Sequence, residues 1–220
     1  MSNTLPRIVL LEITSRSDHA ANRYAAIRGQ YSGQADVQLI SAPEGASAFF
    51  QLDGPQRPVV LVSDSFLQSP YLDILVPQAA EFVRKGGSFV FPEPPRDGPA
   101  RIRYKTLFQA FSLPWQFGEY SRTECVLNPD CNTIRKDNLS RGYNMKSVKL
   151  RDVKRRDKVY VPSTEAVQPR VVHGPGGTYN LAADPDEVPV AMAEVGAGKV
   201  GYIGDINALS EAVLRAMLGL

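Results

Sequence analysis

The first half of the chain contains short apolar runs of strand length. Residues 7–13, 57–62 and 88–91 are largely apolar, and residues 36–40 alternate between polar and apolar side chains. Continuous apolar runs are typical of strands that are covered on both faces of a parallel sheet. The pattern therefore predicts four strands.

Segments with helical periodicity separate these strands. Apolar side chains recur at three- and four-residue spacing over residues 71–83, directly before two glycines that can end a helix. A weaker pattern after Ser17 and a short one over residues 46–52 predict two more helices. Strands joined by connections of this length predict a flavodoxin-like, doubly wound α/β fold with a mostly parallel sheet.

The second half has a different pattern of polar and apolar residues. A short helix is predicted over residues 106–115, followed by polar strands and turns over about 120–186. Two strands over 188–195 and 199–203 and an amphipathic helix over 208–218 complete the chain. We expect one domain over residues 1–220 with a β-rich insertion at about 120–186, because no linker or internal repeat divides it.

Composition restricts the class of protein. The 220 residues are 43% hydrophobic and 22% charged, as in ordinary globular domains. No apolar run approaches the roughly 20 residues that cross a bilayer, and no secretion signal precedes the first strand. We therefore expect a cytoplasmic protein without a membrane partner, and the sequence is compatible with a homodimer.

Positive charge is concentrated in one segment. Residues 122–158 carry 11 Lys and Arg against 5 Asp and Glu, although the net charge of the whole chain is only +2. The densest part, residues 146–158, could contact the phosphates of a nucleic acid. Apolar and acidic residues interrupt it and no aromatic residues are interspersed for base stacking, which favours a solvated strand-and-turn face instead. We do not expect a nucleic-acid partner.

Several segments form a characteristic combination: an early strand, a helix followed by the glycine stop and strand at 85–91, and a glycine-rich stretch at 194–205 with a helix after it. Together with residues 113–120 and 153–162, these segments resemble the class I glutamine amidotransferase-like superfamily, in particular its trehalose-utilisation (ThuA-like) branch and uncharacterised fungal proteins of this type. The resemblance covers most of the chain and implies a flavodoxin-like sheet. Because its motifs are glycine and apolar patterns, it specifies fold better than chemistry.

The catalytic members of that superfamily place a Cys nucleophile on a tight elbow after the fourth strand. Here the corresponding residues 91–95 contain neither Cys nor Ser. The two cysteines, Cys125 and Cys131, lie in the β-rich segment, where a pairing of Cys125 with His173 is an alternative source of a nucleophile. The resemblance thus implies a protein that is not a glutamine amidotransferase.

The ends of the predicted strands supply the candidate site. In open α/β sheets ligands bind beyond the carboxyl ends of the strands, where the strand order reverses. The polar residues there are Arg16, Ser63, Asp64, Ser65, Glu93, Asp205 and Asn207. The acids could act as general bases and Arg16 could hold an anionic or sugar-like group, whereas Ser63, Asp64 and Asp205 could simply cap helices.

Other motifs have structural interpretations. Residues 196–201 fit the G-x-G-x-x-G spacing of dinucleotide-binding proteins, but here they join strand to strand, which favours a hairpin turn. His, Cys and carboxylates do not occur at metal-ligand spacing, so we expect no metal and no cofactor.

Two functions follow from these observations. The first is a non-catalytic or orphan amidotransferase-like domain that binds a small polar metabolite or serves as an interaction module. The alternative is a hydrolase or isomerase of a small polar or sugar-like substrate that uses the strand-end carboxylates. Carboxylates converging on one cleft would favour an enzyme, and separate exposed caps would favour the module.

Overall fold

The computed structural model describes residues 5–13, 17–52, 58–95, 98–174, 177–206 and 210–220. Side chains are described for all of these except 17–20, 23, 64–65, 170–174 and 177–181. Of the predicted site residues, Arg16 and Asn207 therefore lie outside the described residues, and Asp64 and Ser65 are described by their backbone alone.

Strands and helices alternate through the first half of the chain, as the apolar pattern predicts. In order, the elements are β1 Arg7–Leu11, α1 Ser17–Gln30, β2 Asp36–Ile40, α2 Pro43–Phe50, β3 Val59–Val62, α3 Asp64–Leu67, α4 Leu72–Arg84, β4 Ser88–Phe91 and α5 Gly98–Ala110. The apolar strands are buried because helices cover both of their faces.

The predicted helix over residues 106–115 is wrong in its bounds, because α5 begins eight residues earlier and ends at Ala110. Tyr104 and Phe108 are buried on this helix, but charged residues before position 106 conceal its apolar face in the sequence. The helix ends where Ser112 adopts a φ of 60°, a left-handed conformation that does not continue an α-helix.

The second half is rich in strands, as expected. Its elements are β5 Gln116–Leu127, β6 Gly142–Arg151, a 3-10 turn Arg155–Asp157, β7 Lys158–Pro162, α6 Thr164–Val167, β8 Arg170–Gly174, β9 Gly177–Leu181, β10 Val190–Val195, β11 Gly198–Ile203 and α7 Glu211–Leu218. Strands β8 and β9 pair only with each other among the described residues.

The main sheet has the strand order β2-β1-β3-β4-β11-β10-β7-β5-β6. The pairings from β2 to β11 are parallel, and those from β11 to β6 are antiparallel. The expectation of a mostly parallel sheet is therefore wrong: the fold is a mixed α/β fold. The β-rich segment does not form a separate layer, because β7 pairs with β10 and extends the same sheet. The parallel half keeps the flavodoxin-like order, with β11 as its fifth strand.

The antiparallel half curls until β6 meets the carboxyl end of β11. Isolated bridges join Ser147 to Asp205 and Leu150 to Val188. The Val148 amide donates to the Gly204 carbonyl at 3.0 Å, and the Tyr202 hydroxyl donates to the Val148 carbonyl at 2.9 Å. The residues that follow β11 therefore form hydrogen bonds with part of the outer edge of β6. These hydrogen bonds protect an edge that would otherwise be exposed.

Two apolar layers enclose the sheet. One packs helices α2 to α5 against it and contains a cluster of aromatic rings. The other packs α1 and α7 against the opposite face. The longest described helix, α1, has 14 residues, and no described helix has both the length and the hydrophobicity that crossing a membrane requires.

The glycine motif at 196–201 is the hairpin turn between β10 and β11, as its position between two strands predicts. Gly196 has a φ of +62°, and a Cβ there would lie 2.6 Å from the Arg84 carbonyl oxygen. Both the positive φ and the close approach to the end of α4 require glycine. The spacing therefore reflects turn geometry rather than a phosphate-binding loop.

Candidate functional site

A cavity of about 670 Å³ lies at the carboxyl ends of β3, β4 and β11, on the face covered by α1 and α7. Leu61 and Ile203 form its floor, and Ile27 and Leu214 of the two helices form part of its walls. Its size and its mainly apolar lining with a few polar groups are typical of small-molecule sites. The position follows from the fold, because loops diverge at this edge of a doubly wound sheet.

Two of the predicted site residues, Glu93 and Asp205, line this cavity. Glu93 follows β4, and its carbonyl accepts a hydrogen bond of 2.7 Å from the buried Tyr104 hydroxyl, which fixes the loop after that strand. Asp205 follows β11 and is only 4% exposed. The structure thus brings these two strand-end residues to one cavity.

Ser63 is not among the described residues that line the cavity. It lies directly after β3 and is buried, and its hydroxyl donates to the Leu11 carbonyl at 3.0 Å. The hydroxyl therefore ties the end of β3 to the end of β1. This role is structural.

Asp205 is held by the hydroxyl of Ser210, which donates to its Oδ2 atom at 2.8 Å. The Tyr143 hydroxyl in turn contacts the Ser210 hydroxyl at hydrogen-bond distance. Burial raises the pKa of the Tyr143 phenol and the Asp205 carboxylate adds to the rise, with partial offset by the hydrogen bond to Ser210. The phenol is therefore protonated at neutral pH. The alternative that Asp205 caps the last helix is wrong, because Ser210 occupies the N-cap position.

The sequence did not predict Ser210, Glu211 or Tyr143 as site residues, although the first two line the cavity. The apolar pattern predicts a helix from residue 208 that would include Ser210, whereas α7 starts at Glu211. A serine directly before an amphipathic helix is an N-cap signal that could have identified the boundary. Tyr143 lies on β6, and no local motif connects it with the end of β11.

Neither cysteine is among the described residues that line the strand-end cavity. Both are buried in the layer that α1 and α7 cover. Burial raises the pKa of the Cys125 thiol to about 11, with a partial offset from Lys149, so this thiol is protonated at neutral pH. The His173 side chain lies outside the described residues, and so does any pairing with it. In the described part of the chain, no group of three or more His, Cys, Asp or Glu side chains is arranged to hold a metal ion.

The basic segment 146–158 forms the end of β6 and a turn, which agrees with the strand-and-turn interpretation. Lys149 is only 1% exposed, so it belongs to the interior rather than to a surface patch. Arg151 donates from Nε to the Oε1 atom of the buried Glu187 at 2.6 Å. These cations thus serve the fold, and Lys154, Arg155 and Arg156 remain on the surface.

The basic segment also contains a buried acid, Asp157, which is 3% exposed. Burial raises the pKa of its carboxyl, and Arg156 and Lys154 offset part of the rise. Its Oδ1 atom has no hydrogen-bond partner among the described residues. Because the pKa is higher in the folded state than in the unfolded state, the protonated carboxyl favours folding. This contribution to stability is complete below the unfolded pKa and is lost as the pH rises through the folded pKa.

We therefore expect Asp157→Asn to raise the melting temperature by a few degrees at about pH 7, because the neutral amide avoids burial of a charge. The difference should shrink at about pH 3, where the parent carboxyl is protonated. Thermal unfolding followed by circular dichroism at both pH values measures it, with the exposed Asp137→Asn as the control. A variant that melts below the parent at neutral pH would show that the Asp157 charge is stabilising.

The strand order, the two helical layers and the strand-end cavity define the class as a mixed α/β protein with a flavodoxin-like parallel half. No protein-family model and no curated protein matches the chain. Among solved structures, a ThuA-like protein from Bacteroides uniformis matches with a TM-score of 0.54 and 10% identity, covering 100% of this chain and 91% of that one. The chain therefore shares its fold with a ThuA-like protein, as the sequence resemblance implies.

Two further structures are similar at lower scores. A ThuA-like protein from Parabacteroides merdae matches with a TM-score of 0.49 and 9% identity, covering 98% of this chain and 91% of that one. A cytoplasmic protein from Salmonella typhimurium LT2 matches with a TM-score of 0.47 and 14% identity, covering 96% of this chain and 92% of that one. The assignment of the fold rests on the Bacteroides uniformis structure.

Proposed function

We propose that the protein is a cytoplasmic small-molecule-binding module of the class I glutamine amidotransferase-like superfamily, related to fungal proteins of the ThuA-like type, and that it binds a small polar metabolite in the strand-end cavity. The observation that carries the proposal is the cavity itself, with Glu93 and Asp205 among its lining residues. An apolar cleft with a few polar groups binds the body of a ligand by burial and orients it by hydrogen bonds.

The loop after β4 supports a binding role rather than glutamine hydrolysis. In catalytic members of the superfamily this loop carries the nucleophile, and here it consists of Pro92, Glu93, Pro94 and Pro95. A carboxylate cannot replace a thiolate in acyl transfer from glutamine without a different mechanism. The same loop nevertheless places Glu93 and two of the prolines on the cavity wall, where they can contact a ligand.

The second candidate function is a hydrolase or isomerase of a small polar or sugar-like substrate. It is favoured by one observation, the presence of Glu93 and Asp205 in the same cavity, because two carboxylates on one substrate can divide the roles of acid and base. Product formation distinguishes the two functions. An enzyme converts its ligand on incubation, whereas a module returns it unchanged.

A metabolite screen by ligand-observed NMR tests binding in the parent, in a Glu93→Gln, Asp205→Asn pair, and in a Lys154→Ala, Arg155→Ala, Arg156→Ala triple. We expect ligands of the parent to bind the pair at least about tenfold more weakly, since hydrogen bonds to charged groups contribute about 1.5–3 kcal/mol. The triple changes exposed residues outside the cavity and should bind as the parent does. Loss of binding in the triple with retention in the pair would place the functional surface on the basic turn.

A further inference from the structure

The hydrogen bonds at Asp205 have a definite direction. A serine hydroxyl has one proton, and that of Ser210 is donated to the Oδ2 atom of Asp205. In the contact between Tyr143 and Ser210, the tyrosine must therefore be the donor. The chain runs from the Tyr143 phenol to the Ser210 hydroxyl and ends on the Asp205 carboxylate.

Ser210 makes this hydrogen bond in place of the one that its position favours. It is the N-cap residue of α7, yet its side chain makes no capping hydrogen bond to the first turn of the helix. Ser163 is the N-cap residue of α6, and its hydroxyl does accept from the Ala166 amide at 3.2 Å. Ser210 thus gives up the usual stabilisation of a helix end and directs its proton at the carboxylate.

The chain forms where β6 closes on the end of β11. Asp205 and Ser210 line the cavity and are 4% and 7% exposed, whereas Tyr143 supports Ser210 from β6, away from the cavity lining. Ser147 is the bridge partner of Asp205, so their side chains lie on the same face of the sheet. The Ser147 hydroxyl is completely buried and has no hydrogen-bond partner among the described residues. A buried polar atom of this kind is typical of a place where a water or a ligand binds.

The polar groups that the described residues present to the cavity are mainly acceptors. The Ser210 proton is committed to Asp205, and Glu93 and Glu211 are two further acidic residues of the lining, whereas Gln30 is the lining residue whose side-chain amide can also donate. A molecule that forms hydrogen bonds to the acidic residues of this wall must supply the protons. Hydroxyl and ammonium groups share this chemistry, whereas a ligand carboxylate has no proton to donate to these acids.

We propose that Asp205 accepts a hydrogen bond from a hydroxyl or ammonium group of a small molecule in the cavity, and that Ser210 and Tyr143 are positioning residues that fix the carboxylate for this contact. The proposal rests on the proposed binding function. The binding function alone does not require a role for Ser210 or Tyr143, and the proposal gives both residues the role of orienting the Asp205 carboxylate.

Three probes with the same hydroxylated chain test it: glucamine, sorbitol and gluconate end in an amine, a hydroxyl and a carboxylate. Isothermal titration and protein-observed NMR measure their affinity for the parent. We expect glucamine and sorbitol to bind and gluconate to bind most weakly. If glucamine binds more tightly than sorbitol, the donor is an ammonium group, and the reverse order assigns a hydroxyl group.

The variants then separate positioning from stability. Tyr143→Phe should lower the affinity for the better probe about tenfold and Ser210→Ala by at least as much, because the carboxylate loses its fixed orientation. Ser210→Thr keeps the hydroxyl and should restore binding. Ser163→Ala removes a true helix cap and should bind as the parent does, although it melts at a lower temperature.

Different failures have different meanings. If the parent binds none of the three probes, the proposed binding function is overturned for this ligand class, and the role of the chain with it. If the parent binds and Tyr143→Phe and Ser210→Ala bind equally well, only the positioning role is overturned. Failure of Ser210→Thr to restore binding, in a variant with the parent's NMR spectrum, would overturn it as well.

Discussion

Gly204→Ala is expected to lower the free energy of unfolding by about 3 kcal/mol or more, at the upper end of the range for overpacked sites. A Cβ atom at this position would lie 2.0 Å from the Val148 carbonyl oxygen and 3.1 Å from that of Pro189. These are backbone atoms, which cannot rotate away as the end of a side chain can. The clash would therefore separate β6 from the end of β11.

The effect of this substitution extends to the candidate site, because Gly204 directly precedes Asp205. The Val148 amide donates to the Gly204 carbonyl, so displacement of β6 breaks a backbone hydrogen bond and moves Tyr143 away from Ser210. Ligand binding should weaken together with stability.

Urea unfolding followed by circular dichroism measures the cost. Gly29→Ala in α1 is the matched control, because a Cβ there has no atom within 4 Å. Alanine in a helix should stabilise it by about 0.5–1 kcal/mol. Equal stability of Gly204→Ala and the parent would show that β6 is not packed against the end of β11.

The parallel half of the fold could be predicted from the sequence because its signals are local. Strands β1, β3 and β4 are buried on both faces, and this burial appears directly as apolar runs. Helix α4 presents a clear apolar face, and its buried residues follow the predicted spacing. The glycines at 196–201 likewise predicted the hairpin turn between β10 and β11. In each case the residues that determine the element lie within the element.

The antiparallel half could not be predicted in the same way, because alternation within a strand does not identify its neighbour. Strand β5 pairs with β6 on one side and with β7 on the other, and β7 then joins β10 across a long interval of sequence. The antiparallel character of half the sheet depends on these non-local pairings. The closure of β6 on Asp205 depends on them too.

The candidate site shows the same division. Glu93 and Asp205 could be predicted because each directly follows a strand of the parallel half, and parallel strands end at one edge. Tyr143 could not be predicted, since it reaches Ser210 only through the closure of β6. Ser63 follows a strand of the same half, but it is not among the described lining residues, and its hydroxyl donates to the Leu11 carbonyl between two strands.

Phe108→Ala is expected to lower the free energy of unfolding by about 3–5 kcal/mol, the usual cost of removing a buried aromatic ring. Phe108 is completely buried on α5. Its ring packs edge-on against Phe91 of β4 and Trp115, with centroid distances of 5.6 Å and 5.3 Å. It also contacts Phe117 of β5 and Tyr202 of β11, at 6.0 Å and 6.4 Å.

These neighbours belong to both halves of the sheet, so the ring joins the parallel strands to the first antiparallel strand. Removing it leaves a cavity that the rigid strands around it cannot fill, and the cost includes the lost contacts as well as the lost burial. With native stabilities of about 5–15 kcal/mol, a loss of this size should be visible as a large shift of the urea midpoint.

Ile102→Ala on the same helix is the matched control, because its side chain is 69% exposed and truncation there should change stability by no more than about 0.5 kcal/mol. Both substitutions introduce alanine into the same helix. The difference between their free energies of unfolding therefore measures the packing of the Phe108 ring. If Phe108→Ala unfolds at the same urea concentration as Ile102→Ala, then α5 does not hold the two halves together. The packing of α5 against the sheet would then have to depend on the neighbouring Tyr104, whose hydroxyl also donates to the Glu93 carbonyl.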